Sequence, residues 1–166
     1  MKSKALSSML CPVARSIQCV GDGWGILILR DALAGLTRFD EFQTSLSIAP
    51  NILTRRLKDL VAAGLLEKSI YCKKPPRYEY LLTATGKDFQ MVIMALMLWG
   101  NDHLSPDGKL AAEIIKRQTG RPVRVGLVDL DTHEPVTNDL YEIVPGPYAN
   151  ERMLSRFEYI KSKHAS

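Results

Sequence analysis

The hydrophobic period of this chain changes at Gly64. Up to that point, "PNILTRRLKDLVAAG" places Leu53, Leu57 and Leu60 at helical spacing. Beyond it, "LLEKSIY" and "RYEYLLT" are short runs rich in Tyr, Ile and Leu, parted by "CKKPP". The runs predict two strands, and the prolines and lysines between them suit an exposed hairpin tip. A helix-period unit that ends in a two-stranded hairpin excludes most all-β and alternating α/β arrangements.

The flanking segments fill in the unit. "CPVARSIQCVGDG" predicts a short helix with Cys11 at the N-cap, Pro12 at the first helical position and Gly21 and Gly23 past its end. Val13, Ile17 and Val20 give it an apolar side. "WGILILRDALAG" is apolar nearly all round, hence central, and stops at Gly35. "TRFDEF" opens a third helix with Thr37 as N-cap and Phe39, Phe42 and Leu46 in step. "SLSI" is a short turn before the helix that starts at Pro50. After the hairpin, Thr83 caps one long helix over 84–104. Past "SPDG" a second unit begins. Ser105 and Pro106 start a helix through "KLAAEIIKRQ" that Gly120 ends, "VRVGLVDLDTHEPVTNDLYEIV" suggests a hairpin, and "GPYANERMLSRFEYIKSK" finishes with a helix in which Met153, Phe157 and Ile160 line up.

Bulk properties narrow the class. The 166 residues are 46% apolar, enough for a real core. The longest apolar run, Met91 to Trp99, is too short for a bilayer, which takes about 20 residues. The N-terminal "MKSKALSSMLC" is basic but lacks the apolar stretch of a secretory signal, so a cytoplasmic protein with no membrane association is expected. Cys11, Cys19 and Cys72 are odd in number and form no CxxC pair, against both a disulfide framework and a cysteine zinc site. The net charge of +4 lies entirely in residues 1–104, which hold thirteen Lys and Arg against nine Asp and Glu. Residues 105–166 hold nine of each. That distribution fits an anionic partner for the first unit. "GDGWG" lacks the third glycine and the preceding strand of a dinucleotide fingerprint. His103, His133 and His164 are scattered without ligand spacing. No P-loop, nucleophile elbow or carboxylate pair stands in a convincing context, so no enzyme, catalytic residue, metal or cofactor is expected.

On a helical wheel, Asn51, Thr54, Arg55, Lys58 and Ala62 share the side opposite the leucines, with Arg56 on the boundary. A short helix and a tight turn before this one make a helix-turn-helix, whose second helix enters the DNA major groove by its N-terminal residues. Arg matches guanine, Asn matches adenine, and Thr54 offers a hydroxyl to phosphate or a methyl to thymine. A solvated surface helix would look similar taken alone. The basic hairpin just behind it, with Lys73, Lys74 and Arg77, tips the balance, because such a hairpin is the wing of a winged helix and neutralises phosphates beside the helix footprint. The expected fold is therefore mainly α with small β (α+β). It comprises a winged helix-turn-helix with a long dimerisation helix over 1–104 and a small helix–hairpin–helix extension over 105–166.

"CPVARSI", "GDGWGILILRDALAG", "RFDEF", "ILTRRLKDLVAAGLLEKSIY", "PPRYEYLLTATG" and "ALMLWG", in this order, resemble the HxlR-type family of bacterial winged helix-turn-helix regulators from Cys11 to Leu104. The resemblance implies a transcription regulator that binds inverted repeats of double-stranded DNA as a homodimer, in some members with a cysteine that senses oxidants or electrophiles. It implies that "NILTRRL" is the recognition helix, "KKPPRYEY" the wing, and Cys11 the family's characteristic cysteine. Two departures stand out. Gly23 replaces the family's usual lysine before the tryptophan, and Ala49 replaces its usual serine. Some members carry zinc-ribbon-like cysteines in a C-terminal extension; this tail has none, so no zinc is expected there.

The expected base or groove contacts are Asn51, Thr54, Arg55 and Lys58. Arg38 and Arg56 would hold phosphates or brace the motif, and Lys73, Lys74 and Arg77 belong to the wing. Of the two apolar sides of helix 84–104, Phe89, Val92, Leu96 and Trp99 make one, while Met91, Met94, Ala95 and Leu98 make the other, assigned to dimerisation. A helix buried wholly within its own chain is the alternative. Cys11 is the redox-sensing candidate: a thiol at a helix N-terminus meets the positive end of the macrodipole, with Arg15 one turn on. An N-cap cysteine can equally be a small packed residue. Two rival functions stay open, a regulator that takes a small-molecule inducer in a pocket at the tail, and a winged helix used against an acidic protein.

Overall fold

The computed structural model describes residues 9–164, leaving aside the side chain of His164. Residues 1–8, and with them most of the basic N-terminal run, lie outside the described residues. The chain divides into two compact units between Met94 and Ala95. The sequence places its boundary ten residues later, after Leu104.

In the first unit, α1 (Pro12–Val20) starts at Cys11 and Pro12 and stops at Gly21, whose positive φ of 92° no bulky residue adopts easily. Its inward side is Ala14 and Val20. Val13 and Ile17, read from sequence as part of the apolar side, are exposed. Asp22 caps α2 (Gly23–Leu33), the central helix, which buries Gly25, Ile28, Leu29 and Ala32. A Cβ on Gly25 would lie 1.9 Å from the Val20 carbonyl oxygen, so only glycine lets α1 and α2 meet this closely.

Helix α3 (Phe39–Leu46) buries Phe42 completely. Its cap residue is Arg38, not Thr37. The Glu41 carboxylate reaches back one turn and accepts the N–H groups of both Thr37 and Arg38 at 2.8 Å, which moves the helix start forward by one residue. The chain turns at Ser47 in the left-handed conformation, drops Ile48 into the core and enters α4 (Pro50–Ala62). Ala49 caps α4 without a side-chain bond. Its carbonyl accepts from Ile52 and Leu53 at 3.0 Å, and Pro50, lacking an N–H, leaves one fewer donor to satisfy. Leu53, Leu57 and Leu60 are fully buried and, with Ile28, Leu29, Phe42 and Leu66, form the centre of the core.

The hairpin is longer than the sequence suggests. Strand β1 (Leu66–Lys73) pairs antiparallel with β2 (Pro76–Leu82) from Leu66↔Leu82 to Lys73↔Pro76, with an irregularity between Ile70 and Cys72. "CKKPP" is thus mostly strand, and only Lys74 and Pro75 form the tip. The segment before α3 joins the sheet edge, where the Tyr80 N–H donates to the Thr37 carbonyl at 2.7 Å and Arg38 bridges to Glu79.

Thr83 then caps α5 (Ala84–Asp88). Its hydroxyl accepts the Gly86 N–H at 3.0 Å and donates to the Gly64 carbonyl at 2.7 Å. The single helix expected over 84–104 is in fact two, because the chain breaks at Phe89 and restarts as α6 (Gln90–Leu104). Phe89 packs against the core, and Gly86 presses on the Leu65 carbonyl so closely that a Cβ would sit 2.1 Å from it. These two anchors hold α5 to the base of the hairpin. No residue of α6 is buried.

The second unit departs most from expectation. The helix read over "KLAAEIIKRQ" is absent: a 3-10 turn at Pro106–Gly108 is followed by irregular chain. Its backbone groups are engaged elsewhere. Lys116 N–H donates to Arg121 at 2.8 Å, Val123 N–H donates to Ile114 at 2.8 Å, and Asn101 Nδ2 donates to the Ala112 carbonyl at 2.9 Å. The expected hairpin shrinks to one bridge, Val128↔Pro135, around a tight turn. There the Asp129 carboxylate accepts from Asp131 and Thr132 N–H and from the Tyr141 hydroxyl, which holds it below the usual carboxylate range. The final helix, α7 (Glu151–His164), is present as expected.

Candidate nucleic-acid interface

The buried leucines of α4 decide which side of it faces solvent. With Leu53, Leu57 and Leu60 inward, Asn51, Thr54, Arg55 and Lys58 are all exposed. Among the described residues, Arg55 and Lys58 make no ion pair, so both charges are available. The Asn51 side-chain oxygen accepts the Ile52 N–H at 2.9 Å, leaving its amide nitrogen to donate outward. The Thr54 hydroxyl donates to the Pro50 carbonyl at 2.7 Å, so this side chain offers outward its methyl and its oxygen's remaining acceptor capacity.

Arg56 takes a different position. Its guanidinium is ion-paired to Asp22 and to Asp59 (3.3 Å), and its side chain is only 14% exposed. Of phosphate contact and bracing, the geometry is that of a brace. The sequence reading missed Asp22 and Asp59, although an acid three residues after Arg56 on a helix is a visible signal for the second. Asp22 could not be foreseen, since it comes from another helix.

The wing presents Lys73, Lys74 and Arg77, all exposed, at and beside its tip. Arg38, exposed at the start of α3, stacks its guanidinium over the Tyr71 ring at 4.7 Å, and Lys68 lies over Tyr78 at 3.7 Å. Cation–π contacts of this kind hold a charge at a fixed place while leaving it accessible. Arg38 therefore stands where the helix-turn-helix meets the wing. The aromatic partners Tyr71 and Tyr78 were not singled out in the sequence, where they read only as strand formers.

Cys11 is half-buried at the N-terminus of α1, with Arg15 exposed one turn on. Cys19 packs on the core and points its thiol at the Ala63 carbonyl, 3.9 Å away; Cys72 lies on β1 beside the wing tip. None of the three is in a disulfide. On α6, Met91 and Ala95 are exposed and Met94 and Leu98 half-buried. Within the second unit, Met97, Leu98, Asn101 and Asp102 line a cleft of about 270 Å³ with Leu110, Ile114 and Val123.

Residues 19–108 match the HxlR-like helix-turn-helix family. The chain is 40% identical over 97 residues to the uncharacterized HTH-type transcriptional regulator Rv3095 of Mycobacterium tuberculosis, a match that covers 58% of this chain and 61% of that protein. The chain thus spans about three-fifths of the length of this curated relative. The solved structure of PA1374, a candidate transcription factor from Pseudomonas aeruginosa, is 49% identical with a TM-score of 0.64, covering 88% of this chain and 99% of that one. The oxidised form of the redox regulator HypR is 29% identical with a TM-score of 0.53, covering 58% of this chain and 100% of its own. A helix-turn-helix with an exposed polar face, a basic wing behind it and a family match across both place the chain: it belongs to the HxlR-like helix-turn-helix family of transcription regulators.

Proposed function

We propose that the chain is a sequence-specific DNA-binding regulator that occupies an inverted repeat as a homodimer and represses by occluding a promoter. The observation that carries this is the α4 face, where Asn51, Thr54, Arg55 and Lys58 stand exposed on a helix whose other side is locked by fully buried leucines. Arg55 and Asn51 read base edges, Lys58 and Thr54 support them in the groove, and Arg38, Lys73, Lys74 and Arg77 neutralise phosphates on either side. Arg56 braces the motif. Met91, Met94, Ala95 and Leu98 of α6 supply the contact with a second copy. In the dimer, the two recognition helices address half-sites about 34 Å apart.

The second part of the proposal is a response to oxidants or electrophiles through Cys11, in the cytoplasm. The likeness to HypR supports it, as does the thiol's place at a helix N-terminus. Selection of bound fragments from random duplex DNA, with and without peroxide, tests both parts. Enrichment of one inverted repeat, lost on oxidation and retained by Cys11→Ser, is the expected result. No enrichment refutes the DNA reading, and oxidant sensitivity that survives Cys11→Ser refutes the cysteine's role. A second reading, regulation by a small-molecule inducer, draws on the cleft where Leu98, Leu110 and Ile114 stand with Asp102, Glu113 and Arg124, near the lower end of ligand-site volumes at about 300 Å³. Loss of DNA binding on adding such a compound to Cys11→Ser protein would favour it.

A further inference from the structure

We propose that Asp22 is a positioning residue for DNA recognition, acting through Arg56 to fix how α4 meets the duplex. The inference rests on the DNA-binding reading and concerns a residue that this reading leaves out of contact with DNA. The two oxygens of Asp22 serve two helices. Oδ1 caps α2, accepting from the N–H groups of Trp24 and Gly25 at 3.1 and 3.4 Å. Oδ2 accepts from the Arg56 guanidinium, 34 residues further along the chain. One carboxylate thus ties the start of the central helix to the middle of α4. Asp59, one turn on from Arg56, closes on the same guanidinium from the other direction.

Two effects follow, and both raise discrimination. Leucine packing fixes which side of α4 is inward, but it tolerates small rotations and slides that a directed, charge-assisted bond does not. Arg55, the base reader, is the adjacent residue, so the tether to Arg56 governs its angle of approach. Masking is the second effect. Arg56 faces two carboxylates, so a cation one residue from the reading face is withheld from sequence-independent attraction to phosphate.

Asp22→Asn separates these roles from the cap, because asparagine caps a helix as well as aspartate but carries no charge. The full-length protein is measured against the duplex that wild type selects and against a random duplex of equal length, over a range of salt, beside its thermal unfolding. The ratio of specific to random affinity is expected to fall by about tenfold, within the range of couplings between contacting charged groups. The salt dependence of random-duplex binding is expected to steepen, by up to about 1.8 in log–log slope for the dimer, as its two Arg56 side chains are unmasked. In an Arg56→Gln background, Asp22→Asn should change neither. A residue that merely supports the fold would lower the unfolding temperature and leave the ratio and slope alone, and that result overturns the proposal. Should Asp22→Asn fail to fold, Arg56→Gln removes the same tie from the α4 side and carries the comparison of specific with random affinity. If wild type selects no sequence at all, the DNA reading itself has failed and takes this inference with it; if wild type selects and Asp22→Asn discriminates equally well, only the inference falls.

Discussion

At the scale of single residues, neighbours in sequence have opposite fates. Arg55 and Arg56 follow each other in "LTRRL", yet one is exposed without an ion pair and the other is drawn between two aspartates. Replacing them should therefore give different kinds of defect. Arg55→Ala is expected to weaken operator binding by about 1–3 kcal/mol and to relax the base preference at one position of each half-site, with no change in thermal stability. Binding titrations on a panel of singly substituted operators read this directly. Equal loss on every sequence would reassign Arg55 to phosphate. Glu41 gives a residue-scale prediction of stability. The N–H groups of Thr37 and then Arg38 hold its carboxyl below the ordinary 4.5, so its folded pKa is depressed. Its contribution is complete above that ordinary value and is lost as pH falls through the folded one. Denaturant unfolding from about pH 5 down to about pH 3 should show a shallower acid limb in Glu41→Gln than in wild type.

At the scale of elements, what the sequence could reveal depended on whether an element's reason lies within it. Helix α4 is legible because its stripe of Leu53, Leu57 and Leu60, its Pro50 start and its Gly64 stop are all local, and its outward face follows from the wheel. The break at Phe89 is not legible. The apolar pattern of 84–104 continues through it, and Phe89 itself keeps helical backbone angles (φ −64°, ψ −10°), so nothing local marks the interruption. "KLAAEIIKRQ" misleads for a similar reason: its composition favours a helix, but the Lys116 N–H and the Ile114 carbonyl pair with Arg121 and Val123. Val13 and Ile17 repeat at helical spacing, yet the side of α1 that meets the core carries Ala14 and Val20. The wing was read correctly as a basic hairpin but too short, since strand pairing runs through Lys73 to Pro76. That longer ladder makes the tip a firm platform. Lys73→Ala is therefore expected to lower affinity for operator and random duplex by the same factor and to reduce the log–log salt slope of the dimer by about 1.8, one contact per protomer. A larger loss on operator than on random DNA would mean that the wing reads sequence.

At the scale of the whole molecule, α6 poses a question that a single chain leaves open. A helix apolar on nearly all sides is ordinarily a buried one. Here Met91 is 75% exposed, and Val92, Leu96 and Trp99 are exposed as well. The sequence reading gave one side of this helix to its own chain and the other to a partner, and both sides remain uncovered or half-covered. Met91→Glu tests the partner. In an isolated chain the new carboxylate would stand in solvent, so the fold should lose little, as surface changes typically cost within about 0.5 kcal/mol. In a dimer sealed by this face it would be buried without a counter-charge, an arrangement that proteins do not sustain. Sedimentation velocity should accordingly show a species of dimer mass in wild type and monomer mass in the variant, at equal unfolding temperature. DNA binding should change in a matching way. The variant should bind one half-site as well as two and show about half the salt slope of wild type, because half as many phosphates are neutralised per binding event. A variant that stays dimeric, or a wild type that is monomeric on its operator, removes α6 from the interface and leaves its exposed methionine and tryptophan for some other surface to cover.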